Sequence, residues 1–167
     1  MIKTSVPLSD AVGKHISHFC PFDLSARNDK NHCAHLVSHL LGYEFGTTCK
    51  NQTWDEKQRP EKGANIRVNE LFNRLSDRGR WSDRPAHLGA CLIFVTNESN
   101  IKLVGHQLKM GRSPSKHVGI FLNGTVWHYS NGGDVVVTDT ELGFMSKFNR
   151  AYRHSGDQVE YYYGAFL

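Results

Sequence analysis

Apolar residues in the N-terminal half of the chain recur at the spacing of amphipathic helices. Residues 33 to 41 read CAHLVSHLL, and Gly42 follows directly as a helix stop, so the pattern predicts a helix over this range. A second helix is predicted over residues 66 to 78, ending at Gly79. The polar stretch from residue 46 to 63 predicts a loop between them.

The pattern changes after Pro85 to short apolar runs, which predict strands rather than helices. The predicted strands cover residues 90 to 96, 117 to 122, 125 to 130, 134 to 138 and 158 to 166. A short helix is expected between the last two, around residues 142 to 148. Because no repeat or linker interrupts residues 1 to 167, we expect one α+β domain with N-terminal helices packed on an antiparallel sheet.

The dipeptide Asn123-Gly124 separates two predicted strands and indicates a type I′ hairpin. The register of such a turn places His117 opposite Ser130, so that His117 and His128 become diagonal neighbours on one face. The core is expected to cover the opposite face, which carries Val118, Ile120, Leu122 and Trp127.

Cys33 falls in the first turn of the predicted helix, where a thiol can become a nucleophile. A helix N-terminus and a neighbouring imidazolium both lower the pKa of a thiol. His117 is the candidate base, His128 is the third polar residue that orients it, and backbone N–H groups at the helix start are expected to stabilise an oxyanion. Cysteine and histidine residues are also common in protein cores without any catalytic role, so the hypothesis depends on the spacing of these three.

Three other residues compete with His128 for the third position. Asn131 lies on the opposite face by strand alternation, and Asp134 is expected to end the turn that begins at residue 131. Asp139 is expected to cap the following helix. These expectations favour His128.

Composition and charge narrow the class of protein. The chain is 39% hydrophobic and 22% charged, as in ordinary globular proteins, and its net charge of +4 favours an anionic partner only weakly because the cations are scattered. We expect no nucleic-acid partner and a monomer. No apolar run is long enough for a membrane span, and the N-terminus lacks the apolar core of a signal peptide.

The four cysteines and several histidines raise the question of a metal. His35 and His39 are one helical turn apart, but no Glu follows His35 as in HExxH, so no metal and no cofactor are predicted. Cys20 and Cys49 would pair only in an oxidising compartment. The residues that compete as ligands in this alternative are His15, His18, Cys20, Cys33, His35 and His39.

Residues 31 to 153 resemble the NlpC/P60 superfamily of papain-like cysteine peptidases and amidases. The segment NHCAHLVSHLLGY stands where that family has its Asp-Cys-Ser-Gly-Phe nucleophile helix, and HLGACLIFV resembles the strand that follows its Pro-Gly-Asp-Leu turn. The segment HVGIFLNGTVWHYSNGGDVVVTD is similar to its histidine hairpin, and MSKFNRAYRH is similar to its closing aromatic segment. The resemblance implies a papain-like fold with Cys33 as nucleophile, His117 as base and His128 as third residue.

The resemblance also implies a function, which two departures modify. His32 replaces the usual Asp before the nucleophile, and Ala34-His35 replaces Ser-Gly, so the recognition groups differ from those of the family. The expected activity is hydrolysis of an amide bond in peptidoglycan stem peptides through an acyl-enzyme. A toxin that deamidates a protein glutamine and a non-catalytic binding module are the alternatives. The chain also resembles bacterial effectors that are made in the cytoplasm, delivered by a dedicated secretion system and matched by an immunity protein.

Overall fold

A computed structural model describes residues 2 to 167 and consists of short helices and strands. The α-helices are α1 (Leu8–Ala11), α2 (Cys33–Leu41), α3 (Trp54–Gln58), α4 (Val68–Arg74) and α5 (Glu141–Ala151). The strands are β1 (Arg78–Arg80), β2 (Ala90–Asn97), β3 (Ile101–Val104), β4 (Gln107–Met110), β5 (Lys116–Leu122), β6 (Thr125–Ser130), β7 (Val135–Thr140) and β8 (Val159–Gly164). Among these residues, none of the helices has the length and apolar character needed to span a bilayer.

The helix predicted over residues 33 to 41 is confirmed as α2, with Gly42 in the left-handed conformation after it. The helix predicted over residues 66 to 78 is shorter, since α4 ends at Arg74 and β1 follows. The prediction of a loop over residues 46 to 63 is wrong in part. A 3-10 helix, Cys49–Asn51, and α3 lie there, and the side chains of Thr53 and Glu56 form a capping box at the start of α3.

Five predicted strands are confirmed, and each of their ends lies within two residues of the predicted position. They are β2, β5, β6, β7 and β8. The hairpin of β3 and β4 was not predicted, nor was β1. The predicted turn is confirmed, because Asn123 and Gly124 both have positive φ, 48° and 89°, as a type I′ turn requires.

The chain comprises two compact units, each made of two segments. Unit 1 contains Met1–Arg67 and Trp127–Thr138, and unit 2 contains Val68–Val126 and Asp139–Leu167. The α+β class with an antiparallel sheet is confirmed. The NlpC/P60 fold and the single domain over residues 1 to 167 stay predictions.

Unit 2 is a four-stranded antiparallel arrangement in the order β1-β8-β2-β5, covered by a helix on each face. On one face, Phe72 of α4 makes edge contacts with Phe94 of β2 and Tyr162 of β8, with ring centroids 5.1 and 5.7 Å apart. On the other face, Phe144 and Phe148 of α5 complete an aromatic core. That core also contains Cys91, Ile93, Val95, Phe121, Val126, Tyr161 and Tyr163.

The face of β5 that carries His117 is therefore a core face, which corrects one expectation. The core was predicted on the Val118 side alone, whereas both sides of β5 are covered. His117 pairs with Val95 across β2 and β5, and both side chains lie on the side covered by α5. The reason is the length of α5, which extends over 11 residues and brings two phenylalanines onto this face.

Unit 1 is organised around α2, whose Leu36, Val37 and Leu40 are at most 1% exposed. Hydrogen bonds fix the N-terminal segment of unit 1. The N–H of Ile16 donates to the hydroxyl of Tyr129 at 3.2 Å, and the backbones of Lys14 and Gly13 bond the backbone of Val136. The strands β6 and β7 are sheet neighbours. A small apolar cluster of Cys20, Phe22, Leu24, Cys49 and Ala64 lies in the same unit.

Candidate functional site

Cys33 is the first residue of α2, as predicted. The helix begins here because the side-chain oxygen of Asn31 accepts the Cys33 N–H at 3.0 Å and the His32 carbonyl accepts the Leu36 N–H at 2.9 Å. The residue is 1% exposed. A thiol at this position lies at the positive end of the helix dipole, which favours its thiolate form.

Two amides at the start of α2 are engaged by asparagine side chains. Asn31 accepts from Cys33, as above, and the side-chain oxygen of Asn131 accepts the His32 N–H at 2.9 Å. These two amides were among those expected to stabilise an oxyanion. Asn131, one of the competitors of His128, thus helps to fix the start of α2.

His117 lies on β5 in unit 2, where aromatic rings hold it. Its imidazole stacks on the ring of Phe148, with centroids 4.5 Å apart and planes inclined by 29°, and Phe144 lies 6.0 Å away. The residue is 2% exposed. The stacking restricts the rotation of the imidazole.

His128 lies on β6 and is 1% exposed. Of its competitors, Asp134 has a φ of 56° in the turn before β7, as predicted. The prediction for Asp139 is wrong by one residue, because Thr140 caps α5 by accepting the Gly143 N–H, while the Asp139 carboxylate accepts from Lys147 at 2.6 Å. The meeting of Cys33, His117 and His128 in one triad stays a prediction.

A second group of residues, with cysteine and histidine side chains that can act as metal ligands, lies wholly within unit 1. The Sγ atoms of Cys20 and Cys49 and one ring nitrogen each of His35 and His39 all lie within 4.8 Å of one another. The Nε2 atoms of the two histidines are 3.2 Å apart, and Nε2 of His39 is 3.8 Å from the sulfur of Cys49. Two sulfurs and two imidazole nitrogens at such distances are able to hold a metal ion.

Local structure explains how these four residues meet. His35 and His39 are four residues apart on α2 and so lie on one side of it. The backbone N–H of Cys20 donates to the Ile16 carbonyl at the end of a 3-10 helix. The N–H of Cys49 donates to the carbonyl of Ala64 at 2.9 Å. Cys20, His35 and Cys49 are at most 2% exposed.

Burial and mutual contacts perturb the titration of this group. The hydrogen bond between the side chains of Cys20 and Cys49 lowers the pKa of Cys49 and raises the pKa of Cys20. The pair is most stable when the two sulfurs share a single proton. Burial lowers the pKa of His35 and of its neighbour His32, because it disfavours the charged imidazolium. Burial also raises the pKa of the Cys91 thiol, which lies in unit 2, to about 12.

The group of four was not predicted as a unit from the sequence. Cys49 was absent from the ligands considered, and three of the six that were considered, namely His15, His18 and Cys33, lie outside the group. The available signal was the His-x-x-x-His spacing on α2, flanked by a cysteine on each side in the sequence. No pair of cysteines forms a disulfide in residues 2 to 167.

Comparisons with family models, with curated proteins and with solved structures find no match for this chain.

Proposed function

We propose that the chain hydrolyses amide bonds through a covalent intermediate on Cys33, with His117 as base and His128 as the residue that orients it. The observation that carries the proposal is the position of Cys33 as the first residue of α2, the site at which a helix favours a thiolate. The substrate we favour is the stem peptide of peptidoglycan, an anionic polymer that suits a chain of net charge +4.

In the proposed reaction the Cys33 thiolate attacks the amide carbon and forms a C–S bond, while the carbonyl oxygen takes up the displaced electron pair. The tetrahedral intermediate collapses, the C–N bond breaks, and the leaving amine takes a proton from the His117 imidazolium. Water then attacks the thioester carbon while His117 accepts its proton, the C–S bond breaks, and the acid product leaves the Cys33 thiolate beside the His117 imidazolium.

The surroundings of the residues support these roles in two ways. The stack of His117 on Phe148 limits the rotation of the imidazole, so that its nitrogens keep a fixed direction. Since the amides of His32 and Cys33 bond to asparagine side chains, the oxyanion would be met by the next two amides of the first turn, those of Ala34 and His35.

The test is digestion of purified peptidoglycan under reducing conditions, with muropeptides identified by mass spectrometry. We expect wild-type protein to create new amino termini and Cys33→Ala to create none, because the proposed thioester forms on the Cys33 sulfur. Cys91→Ala is the matched control, since Cys91 is a buried cysteine in unit 2 that takes no part in the reaction.

Intact muropeptides after digestion with wild-type protein would refute the peptidoglycan assignment. Ammonia release from a protein glutamine, abolished by Cys33→Ala, would then identify the deamidase alternative. Activity that survives in Cys33→Ala would refute the nucleophile itself.

A further inference from the structure

We propose that Cys20, His35, His39 and Cys49 bind one Zn²⁺ ion at a structural, tetrahedral site. The proposal does not depend on the hydrolase function, and Cys33 is not among the ligands. Two thiolates and two imidazoles form a common set for structural zinc, and soft sulfur ligands in a tetrahedral arrangement disfavour magnesium, calcium and manganese.

The two separations that involve Nε2 of His39 agree with a zinc ion at the centre of the group. Bond lengths of about 2.0 to 2.1 Å for Zn–N and 2.3 Å for Zn–S, at tetrahedral angles, place two nitrogens about 3.3 Å apart and a nitrogen and a sulfur about 3.6 Å apart. The observed separations are 3.2 Å between the two Nε2 atoms and 3.8 Å between His39 Nε2 and Cys49 Sγ. The separation of the two nitrogens thus differs from the expected value by about 0.1 Å, and the separation of nitrogen and sulfur differs by about 0.2 Å.

Hydrogen bonds around His35 direct its lone pair toward this centre. Nε2 of His32 lies 2.8 Å from the Arg27 carbonyl oxygen, which can only accept, so His32 carries its proton on Nε2. In the neutral ring Nδ1 of His32 then accepts, and the atom 3.0 Å away, Nδ1 of His35, must donate. The proton of His35 therefore lies on Nδ1, which leaves the lone pair of Nε2 for a metal.

This arrangement is the one that metal-bound histidines have. A ligating imidazole usually donates its other N–H to a protein acceptor, which fixes the tautomer and the direction of the ring. Here the acceptor is His32, which is 0% exposed and is itself anchored to the backbone.

The ion would connect parts of unit 1 that regular structure holds together only weakly. Cys20 follows a 3-10 helix of three residues, and Cys49 begins another of the same length, whereas His35 and His39 belong to α2. The apolar cluster around the two cysteines is small and contains both of them. Zinc would supply the missing link between these short segments and the helix, as it does in small metal-bound domains.

A disulfide between Cys20 and Cys49 is the main rival, because their sulfurs are close enough to approach each other. It explains neither the two facing Nε2 atoms nor the proton arrangement of His35. The two possibilities differ in the number of thiols on the denatured chain, which is four with zinc or with bare thiols and two with the disulfide.

The first experiment measures zinc per chain by inductively coupled plasma mass spectrometry after purification with reductant and zinc in the medium. We expect about one ion in wild-type protein and less than about a tenth in Cys49→Ala and in His39→Ala, because three ligands hold zinc far more weakly than four. The controls are Cys91→Ala, Cys33→Ala and His18→Ala, an exposed histidine, and each should retain about one ion.

A second experiment uses the wild-type chain alone, because the ligand variants are at risk of misfolding. Zinc is removed with a chelator and replaced with Co²⁺. We expect the intense visible bands of a tetrahedral cobalt complex, a thiolate charge-transfer band in the near ultraviolet, and four thiols per denatured chain. Weak octahedral bands, no uptake of either metal, or a count of two thiols would overturn the proposal.

Discussion

Glu56 is a buried carboxylate that joins two segments of unit 1, the one around Asp23 and the start of its own helix, and its replacement by Gln should be strongly destabilising. The residue is 1% exposed. Its Oε1 accepts the Asp23 N–H at 2.6 Å, and its Oε2 accepts the N–H groups of Gln52 and Thr53, each at 3.0 Å. All three donors are backbone groups, which stay in place when the side chain changes.

The expected magnitude follows from these contacts. Gln has one acceptor oxygen, so its best arrangement keeps the bonds to Gln52 and Thr53 and turns its NH₂ group toward the Asp23 N–H. A donor then faces a donor, which costs about 1 to 3 kcal/mol, and the two remaining bonds lose their ionic partner at about 1 kcal/mol each. The lower cost of burying a neutral amide offsets part of this. We therefore expect Glu56→Gln to lower the free energy of unfolding by about 2 to 4 kcal/mol.

The assay is urea and thermal unfolding followed by circular dichroism. For a chain of this size the loss corresponds to a fall in Tm of roughly 5 to 15 °C. Glu61→Gln is the matched control, because Glu61 is exposed and lies five residues further along the chain. Its stability should stay within about 0.5 kcal/mol of wild type. A Glu56→Gln protein as stable as this control would refute the view that the carboxylate is a structural acceptor.

Two further substitutions test the fold by the same unfolding assay. Gly124→Ala should cost about 1 to 2 kcal/mol because Gly124 has a φ of 89°, whereas Gly132→Ala, in open space with no such φ, should cost less than about 0.5 kcal/mol. Equal losses in the two would contradict the assigned turn. Phe148→Ala should cost about 3 to 5 kcal/mol because it empties the core against His117, while Leu142→Ala, 79% exposed on the same helix, should be nearly neutral. A small loss for Phe148→Ala would show that α5 does not cover β5.

Local signals in the sequence were sufficient for the elements that carry the predicted catalytic residues. α2 follows from apolar spacing and the stop at Gly42, and the hairpin turn follows from Asn123-Gly124, because both signals act within a few residues. The start of α3 was also readable, since Thr53 and Glu56 have the spacing of a capping box, but the polar composition around them suggested a loop.

Features that depend on distant contacts could not be predicted in the same way. Helix α5 covers His117 through packing between residues about 30 positions apart. The alternation of side chains along β5 does not predict such a contact. The group of Cys20, His35, His39 and Cys49 combines three chain segments, and only the pair on α2 has a recognisable spacing. Strand alternation likewise predicts which side chains share a face, but it does not predict which face a helix will cover.

The central claim is that Cys33 is an activated nucleophile, and residue-resolved alkylation tests it within one molecule. The native protein is treated with iodoacetamide at pH 7, and each cysteine is followed by peptide mass spectrometry. An ordinary thiol is only a few per cent thiolate at this pH and reacts slowly. Cys91, whose pKa burial raises to about 12, is the internal reference for an inert thiol.

We expect Cys33 to react first and faster than an ordinary thiol, Cys20 and Cys49 to react only after a chelator is added, and Cys91 to react only in urea. His117→Ala should slow the reaction at Cys33 and leave the other three unchanged. A Cys33 that stays unmodified until urea is added, as Cys91 does, would contradict the account and make Cys33 a packing residue.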